Sequence, residues 1–288
     1  SSAATKRRRS RRERCVPPMT PLSVFVTTLD SARTLGACLA SVAWADEIVV
    51  LDSGSRDATL EIARRHGARI AHQPFLGYGA QKRTALALTT QRWVLLLDAD
   101  EMLSPEAQDE IRALLAAGPE AAGYTVPRRE QLFWRMSHPR VRPNRFLRLF
   151  DKTRGTIDDL AVHAAPTVDG PVQRLRGALF HFGETSIRAK VAKVTAYAAG
   201  MVPTKRARHG RARPWMMLAY PPFAFFRAYV LKRQFLDGWA GFIAAVVMAF
   251  YAFLKHAQWL EAERFESEPG LRMPPDAPTV SPPGRDRV

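Results

Sequence analysis

The sequence predicts an α/β protein built on a mostly parallel sheet covered by helices on both faces. Three observations point there. Short apolar runs of strand length alternate with segments of helical periodicity from residue 22 to residue 115. Helix start and stop residues fall between those runs. The carboxyl ends of three predicted strands are also chemically loaded, with Thr27-Thr28, Asp52-Ser53-Gly54-Ser55 and Asp98-Ala99-Asp100-Glu101. In open parallel sheets, ligands bind beyond those ends.

Each element has its own reason. LSVFVTTL (22–29) is β-branched and apolar and reads as a strand; Asp30 or Ser31 then offers a cap for a helix over 30–42, with Leu35, Leu39 and Val42 on one face. DEIVVLD (46–52) is a second buried strand. Ser55 opens a helix over 55–68, and Gly67 closes it. A short strand (68–73) and a helix over 78–90 lead into RWVLLLD (92–98). Ser104 caps, and Pro105 begins, a helix reaching Leu115. From about 121 to 182 the runs shorten and turns multiply, as in an antiparallel or mixed section added to the parallel one. Residues 186–262 are helical and increasingly apolar. GWAGFIAAVVMAFYAFL (238–254) carries no charge and has Trp and Tyr near its ends, which points to a membrane-associating helix or a packed core helix. Pro221-Pro222 and Arg227 are expected to break the apolar stretch before it.

Four regions follow: a basic tail (1–20), a catalytic domain (21–183), a helical membrane-associating region (184–264) and a Pro-rich tail (265–288). The net charge of +16 is unusual for a chain of 288 residues, and much of it lies in TKRRRSRRER (5–14), where Glu13 is the lone acid. Such a run solvates itself, or is drawn to anionic lipid, with nucleic acid a third possibility. Nucleic acid is not the partner expected of the chain as a whole. Two cysteines, Cys15 and Cys38, suggest no disulfide framework and a reducing compartment. The basic start runs into CVPPMTP and not into an apolar stretch with a cleavage site, so no secretory signal is expected.

WVLLLDADE (93–101) raises the sharpest chemical question. Three acids at one strand tip repel one another unless something positive lies among them, and hard carboxylate oxygens suit Mg²⁺ or Mn²⁺. A simpler reading makes them an acidic turn favouring the dipole of the helix after Ser104.

LSVFVTTLDSARTLGACLASVAWADEIVVLDSGSRDATLEIARRHGARI, followed by GYGAQKRTAL and RWVLLLDADE, resembles family 2 glycosyltransferases of the A-type fold. Within that family it is similar to bacterial lipopolysaccharide core glycosyltransferases. The likeness covers residues 21–183. It implies inverting transfer of a sugar from a nucleotide-sugar, a UDP-sugar above all, with Mg²⁺ or Mn²⁺, to a lipid-anchored glycan. The place of action it implies is the cytoplasmic face of the bacterial inner membrane, with the protein peripheral or monotopic. Thr27 would line the nucleotide pocket, Asp52 contact the base, Lys82 lie near base or phosphates, and Asp98 face the ribose. Asp100 would hold the metal. His181, in ALFHF, stands where relatives present a late metal or diphosphate ligand, or else is a buried strand histidine. Relatives often carry Val-His-Glu where this chain has Val162-His163-Ala164, so the proton acceptor is sought in Asp158 and Asp159, with His163 another possibility. Asn-Glu-Glu after the first strand is replaced by Leu29-Asp30-Ser31, and a frequent Asn by Arg83. The competing readings are transfer to a polyprenyl phosphate, and an inactive basic protein that binds nucleic acid or an anionic surface.

Overall fold

The computed structural model describes residues 19–158, 164–183 and 186–267. Asp159, His163 and most of the two expected tails lie outside them. The chain forms two compact units: residues up to Glu130 with Pro143–Phe182, and Gln131–Arg142 with the residues from Gly183 onward.

In the first unit, β1 (Leu22–Thr28), α1 (Ala32–Ala40), β2 (Glu47–Asp52), α2 (Thr59–Arg65), β3 (Arg69–His72), α3 (Tyr78–Leu88) and β4 (Trp93–Asp98) alternate as expected. Then come β5 (Glu101–Leu103), α4 (Pro105–Ala117) and β6 (Gly123–Leu132), whose last two residues fall in the second unit. β7 (Arg135–Met136) pairs with those two residues. After it come β8 (Asn144–Asp151), β9 (Gly155–Ile157), β10 (Pro166–Val168), β11 (Val172–Arg174) and β12 (Leu179–His181). The main sheet runs β3-β2-β1-β4-β8-β6-β12-β5. Its first four strands are parallel, while β8 runs antiparallel to both β4 and β6. The mixed section is thus stitched directly onto the parallel one.

Period-two alternation splits the core between the two faces of this sheet. Val24, Val26, Leu95 and Leu97 pack toward one side with Leu35, Leu39 and Ile111. Phe25, Val49, Leu51 and Leu96 pack toward the other with Ala85, Leu86 and Phe150. Burying each such side chain contributes about 1.5–3 kcal/mol. Cys38 belongs to the first group as an unpaired, buried thiol.

The parallel registers align Thr27 with Leu51 and Asp98, and Thr28 with Asp52, so the loaded strand ends lie side by side. Ser104 caps α4 as expected, its Oγ accepting from Ala107 N at 3.2 Å. Ser55 does not cap α2. The Asp52 carboxylate accepts from Ser55 N at 2.9 Å and from its hydroxyl at 2.5 Å, holding Ser55 in the loop, and α2 starts four residues later. Asp57 serves both helix starts instead, accepting from Ala32 N at 3.0 Å and from Thr59 N at 2.9 Å.

The second unit contains α5 (Ile187–Gly200), α6 (Val202–His209), α7 (Met216–Phe226) and α8 (Gly238–Ser267), with a π-helical turn (Arg227–Leu231) and a 3₁₀ turn (Gln234–Asp237) before α8. The expected break at Pro221-Pro222 does not occur, because α7 runs through both prolines. Each proline removes one donor, but packing on α8, with the Phe225 and Phe242 rings edge-to-face at 5.8 Å, offsets the loss. The wider π turn follows directly. Among the described residues one helical stretch, Gln234–Ser267, is long and apolar enough to cross a membrane by length and composition.

Candidate active site

The site grows from the tip of β4. Asp98 ends the strand, and the chain turns at once into β5, so Asp98, Asp100 and Glu101 leave it in different directions. Glu101 is fully buried, whereas the Asp100 side chain is 39% exposed. The positive charge that the three acids require is supplied first by the protein. Arg148 of β8 reaches Asp98 Oδ2 at 2.8 Å and Glu101 Oε1 at 2.5 Å. Lys82 of α3 reaches Asp98 Oδ1 at 2.8 Å, and Arg128 of β6 lies 3.3 Å from Glu101. Asp98 N also donates to Glu101 Oε2 at 3.1 Å. Burial alone would raise the Asp98 pKa, but Arg148 and Lys82 outweigh it and hold the carboxyl far below the usual range. For Glu101 burial prevails and pushes the pKa up, against the pull of Arg148 and Arg128.

β12 lies between β5 and β6, with His181 in register with both Glu101 and Glu130. Residues paired across neighbouring strands share a face. His181 Nδ1 accordingly meets Glu130 Oε2 at 2.5 Å, and its Nε2 lies 3.2 Å from Asp100 Oδ2. Phe182 N donates to Asp100 O at 2.8 Å and fixes the turn against β12. Arg128 completes the chain of charges, 2.8 Å from Glu130. Burial disfavours charge on His181, but the hydrogen bonds to Asp100 and Glu130 outweigh it and raise its pKa to about 9.

Of the remaining expected residues, Thr27 and Asp52 fall on the neighbouring strand ends, and Asp158 does not. Thr27, half-buried, is the register partner of Asp98. Asp52 is buried, and its carboxylate accepts from Gly54 N at 2.8 Å, from Ser55 and from Thr28 Oγ1 at 3.1 Å. Burial would raise its pKa, but these bonds lower it. Asp158 follows β9. It exchanges backbone and side-chain bonds of 3.1 Å with Ala165, and its carbonyl accepts from Arg83 of α3 at 3.3 Å. Lys82 and Asp98 are therefore brought together, as are Asp100 and His181. Asp158 is tied to α3 one residue beyond Lys82.

Three residues of this cluster, Arg128, Glu130 and Arg148, escaped the sequence reading. Arg148 carried a signal, being a lone cation inside the apolar run FLRLF. Glu130, in PRREQ, looked like any exposed strand charge.

The profile described as Glycosyl transferase family 2 matches residues 23–167. The lipopolysaccharide core biosynthesis glycosyltransferase LpsC of Rhizobium meliloti (strain 1021) is 31% identical over 262 residues, spanning 88% of this chain and 97% of the relative. The chain belongs to glycosyltransferase family 2. A second relative, an uncharacterized glycosyltransferase of Rickettsia felis, is 29% identical over 258 residues, covering 85% and 91% of the two chains. Among solved structures, the mannosyltransferase PcManGT from Pyrobaculum calidifontis, in complex with GDP-Man and Mn²⁺, superposes with a TM-score of 0.52 over 86% of this chain and 89% of that one, at 16% identity. The fold of this family 2 glycosyltransferase is thus the A-type expected from the sequence, a mostly parallel sheet with a mixed section, followed by apolar helices. The protein is an enzyme of the glycosyltransferase class.

Among the described residues there is no group of three His, Cys, Asp or Glu side chains arranged to hold a metal. Asp100 and His181 form a pair that fits a divalent cation whose other ligands are donor phosphate oxygens and water. A carboxylate with phosphate oxygens and water is the usual setting of Mg²⁺; the imidazole is the ligand less usual for that ion. Glu130 on Nδ1 holds the ring so that Nε2 faces Asp100, the orientation a metal-ligating imidazole needs.

Proposed function

We propose that this glycosyltransferase moves a sugar, with inversion, from a UDP-sugar to a hydroxyl of a lipid-linked glycan such as a lipopolysaccharide core, at the cytoplasmic face of the inner membrane. The observation that carries the reading is the approach of Asp100 Oδ2 to His181 Nε2 at 3.2 Å, beside the Lys82–Asp98–Arg148 group. Asp100 and His181 would hold Mg²⁺ or Mn²⁺. A cation held there supplies charge neutralisation for the donor diphosphate. Thr27 and the loop shaped by Asp52 accommodate the nucleoside; Asp98, oriented by Lys82 and Arg148, faces the ribose.

The acceptor oxygen attacks the anomeric carbon as the bond to the diphosphate breaks. The hydroxyl proton passes to the carboxylate of Asp158 or Asp159. The likeness to LpsC supports a glycan acceptor. The large exposed apolar residues of α7 and α8 support membrane association, peripheral or monotopic.

Calorimetry tests the core of this reading. Asp100→Ala should abolish Mn²⁺-dependent binding of the UDP-sugar, and unchanged binding would overturn it. A thermal-shift screen of nucleotide-sugars with and without Mn²⁺ identifies the donor, since the ligand that binds the folded form raises the melting temperature.

A further inference from the structure

We infer that the α7–α8 hairpin lies along the surface of an anionic bilayer, with its apolar side immersed, and does not cross it. This rests on the membrane association proposed above and goes further by fixing the orientation.

The hairpin is packed inside out for a protein surrounded by water. α8 turns small residues such as Ala240, Gly241, Ala244 and Ala245 inward, and turns Trp239 (76% exposed), Phe242 and Phe250 outward. α7 has no buried residue, and Trp215, Leu218 (80% exposed), Phe223 (60%) and Phe226 follow one another at helical spacing along its exposed side. The helices are antiparallel, since Tyr220 meets His256 at 4.9 Å while Phe225 meets Phe242. Their large apolar side chains therefore form one broad patch, beyond what a solvated surface ordinarily exposes.

Chain connectivity opposes a crossing in which the turn joining α7 to α8 emerges on the far face. The turn joining α7 to α8 is held by residues 131–142: His138 N donates to Asp237 Oδ1 at 2.6 Å, and Arg142 N to Lys232 O at 3.0 Å. Leu132 and Phe133 pack with Ala240 and Ala244. That segment leaves from β6 and returns to β8. Fully extended it could reach out and back only about 20 Å, short of the ~30 Å hydrocarbon layer. The opposite end of the hairpin is also held by charged segments, with Ala212 N on Glu263 at 2.7 Å and Arg206 on Glu266. Charge lies at both ends, and exposed Arg227 lies between them. Across a bilayer Arg227 would sit at depth; along the surface its guanidinium reaches water beside the patch.

Charge selects the occupant. Residues 186–236 contain eleven Lys and Arg and no Asp or Glu, and residues 131–142 add Arg135, Arg140 and Arg142. A second copy of this chain would bring like charges together, whereas anionic headgroups complement them.

Three measurements on the full-length chain decide the matter. Vesicle flotation should be strong with phosphatidylglycerol, weaker with phosphatidylcholine alone, and reduced about tenfold or more by Leu218→Asp with Phe223→Asp, while nucleotide-sugar affinity is unchanged. In a Cys15→Ser background, Ala212→Cys and Phe235→Cys should both react with an impermeant maleimide added from one side of proteoliposomes. Reaction from opposite sides, flotation indifferent to the two Asp substitutions, or conversion of a stable dimer to a monomer without loss of flotation would each overturn the inference. A failure of donor binding would touch only the proposed transfer reaction.

Discussion

Arg148 Nη2 stands between two carboxylates, 2.8 Å from Asp98 and 2.5 Å from Glu101, at the tip of β4. One buried guanidinium thus neutralises the acid that would face the nucleotide and the acid that props it from behind. Arg148→Met should leave Asp98 with Lys82 alone and Glu101 with Arg128 alone, and cost about 3–5 kcal/mol, read by chemical denaturation. A loss below 1 kcal/mol would show that Lys82 and Arg128 suffice.

Glu130 acts through His181 and touches no substrate in the proposed reaction. Glu130→Gln should weaken Mn²⁺ binding about 10- to 100-fold, followed by electron paramagnetic resonance, with the fold intact by circular dichroism. Unchanged Mn²⁺ affinity would mean that the carboxylate merely pairs with Arg128.

For Asp158, Asp158→Asn should lower turnover about 10²–10⁴-fold while UDP-sugar affinity is kept. Normal turnover in both Asp158→Asn and Asp159→Asn would remove this pair as the proton acceptor.

Gly177 tests how firmly β12 must be seated. A Cβ there would lie 2.3 Å from Ala107 Cα at the start of α4. Gly177→Ala should cost about 1–3 kcal/mol in thermal or chemical melts. It should also weaken Mn²⁺ binding, because His181 is carried on β12.

Glu47 gives the stability a pH dependence remote from the site. Burial would raise its pKa, but bonds from Ser23, Arg69 and Thr90 outweigh that and lower it to about 2. A carboxylate whose folded pKa lies below its unfolded value stabilises fully above the latter. That contribution disappears as pH falls from about 4.5 toward 2. Glu47→Gln should therefore be less stable than the parent by about 1–2 kcal/mol at neutral pH, after allowance for solvent screening. The gap should close across that acid window in urea titrations; a constant gap would assign the effect to packing.

The parallel half of the fold was legible in the sequence because its signals are local. Apolar runs of strand length, a capping Ser104 followed by Pro105, and Gly67 at a positive φ each act within a few residues. The acids after β4 were legible for the same reason, since they follow a strand directly. Ser55 misled because a second local group competed for it: Asp52, three residues earlier, captured its N–H and hydroxyl. The prolines of α7 misled because α8, a separate helix, supported α7 through its missing hydrogen bonds.

The sequence by itself determined the alternating α/β order, the placing of carboxylates at strand ends and the family resemblance, all properties of short-range pattern. Only the tertiary structure decided what neutralises those carboxylates. Arg148 lies 50 residues from Asp98, and Glu130 lies 51 residues from His181. They meet because β8 pairs antiparallel with β4, and β12 lies between β5 and β6. Strand order is set by which apolar faces can be buried together, and a charge network follows that order.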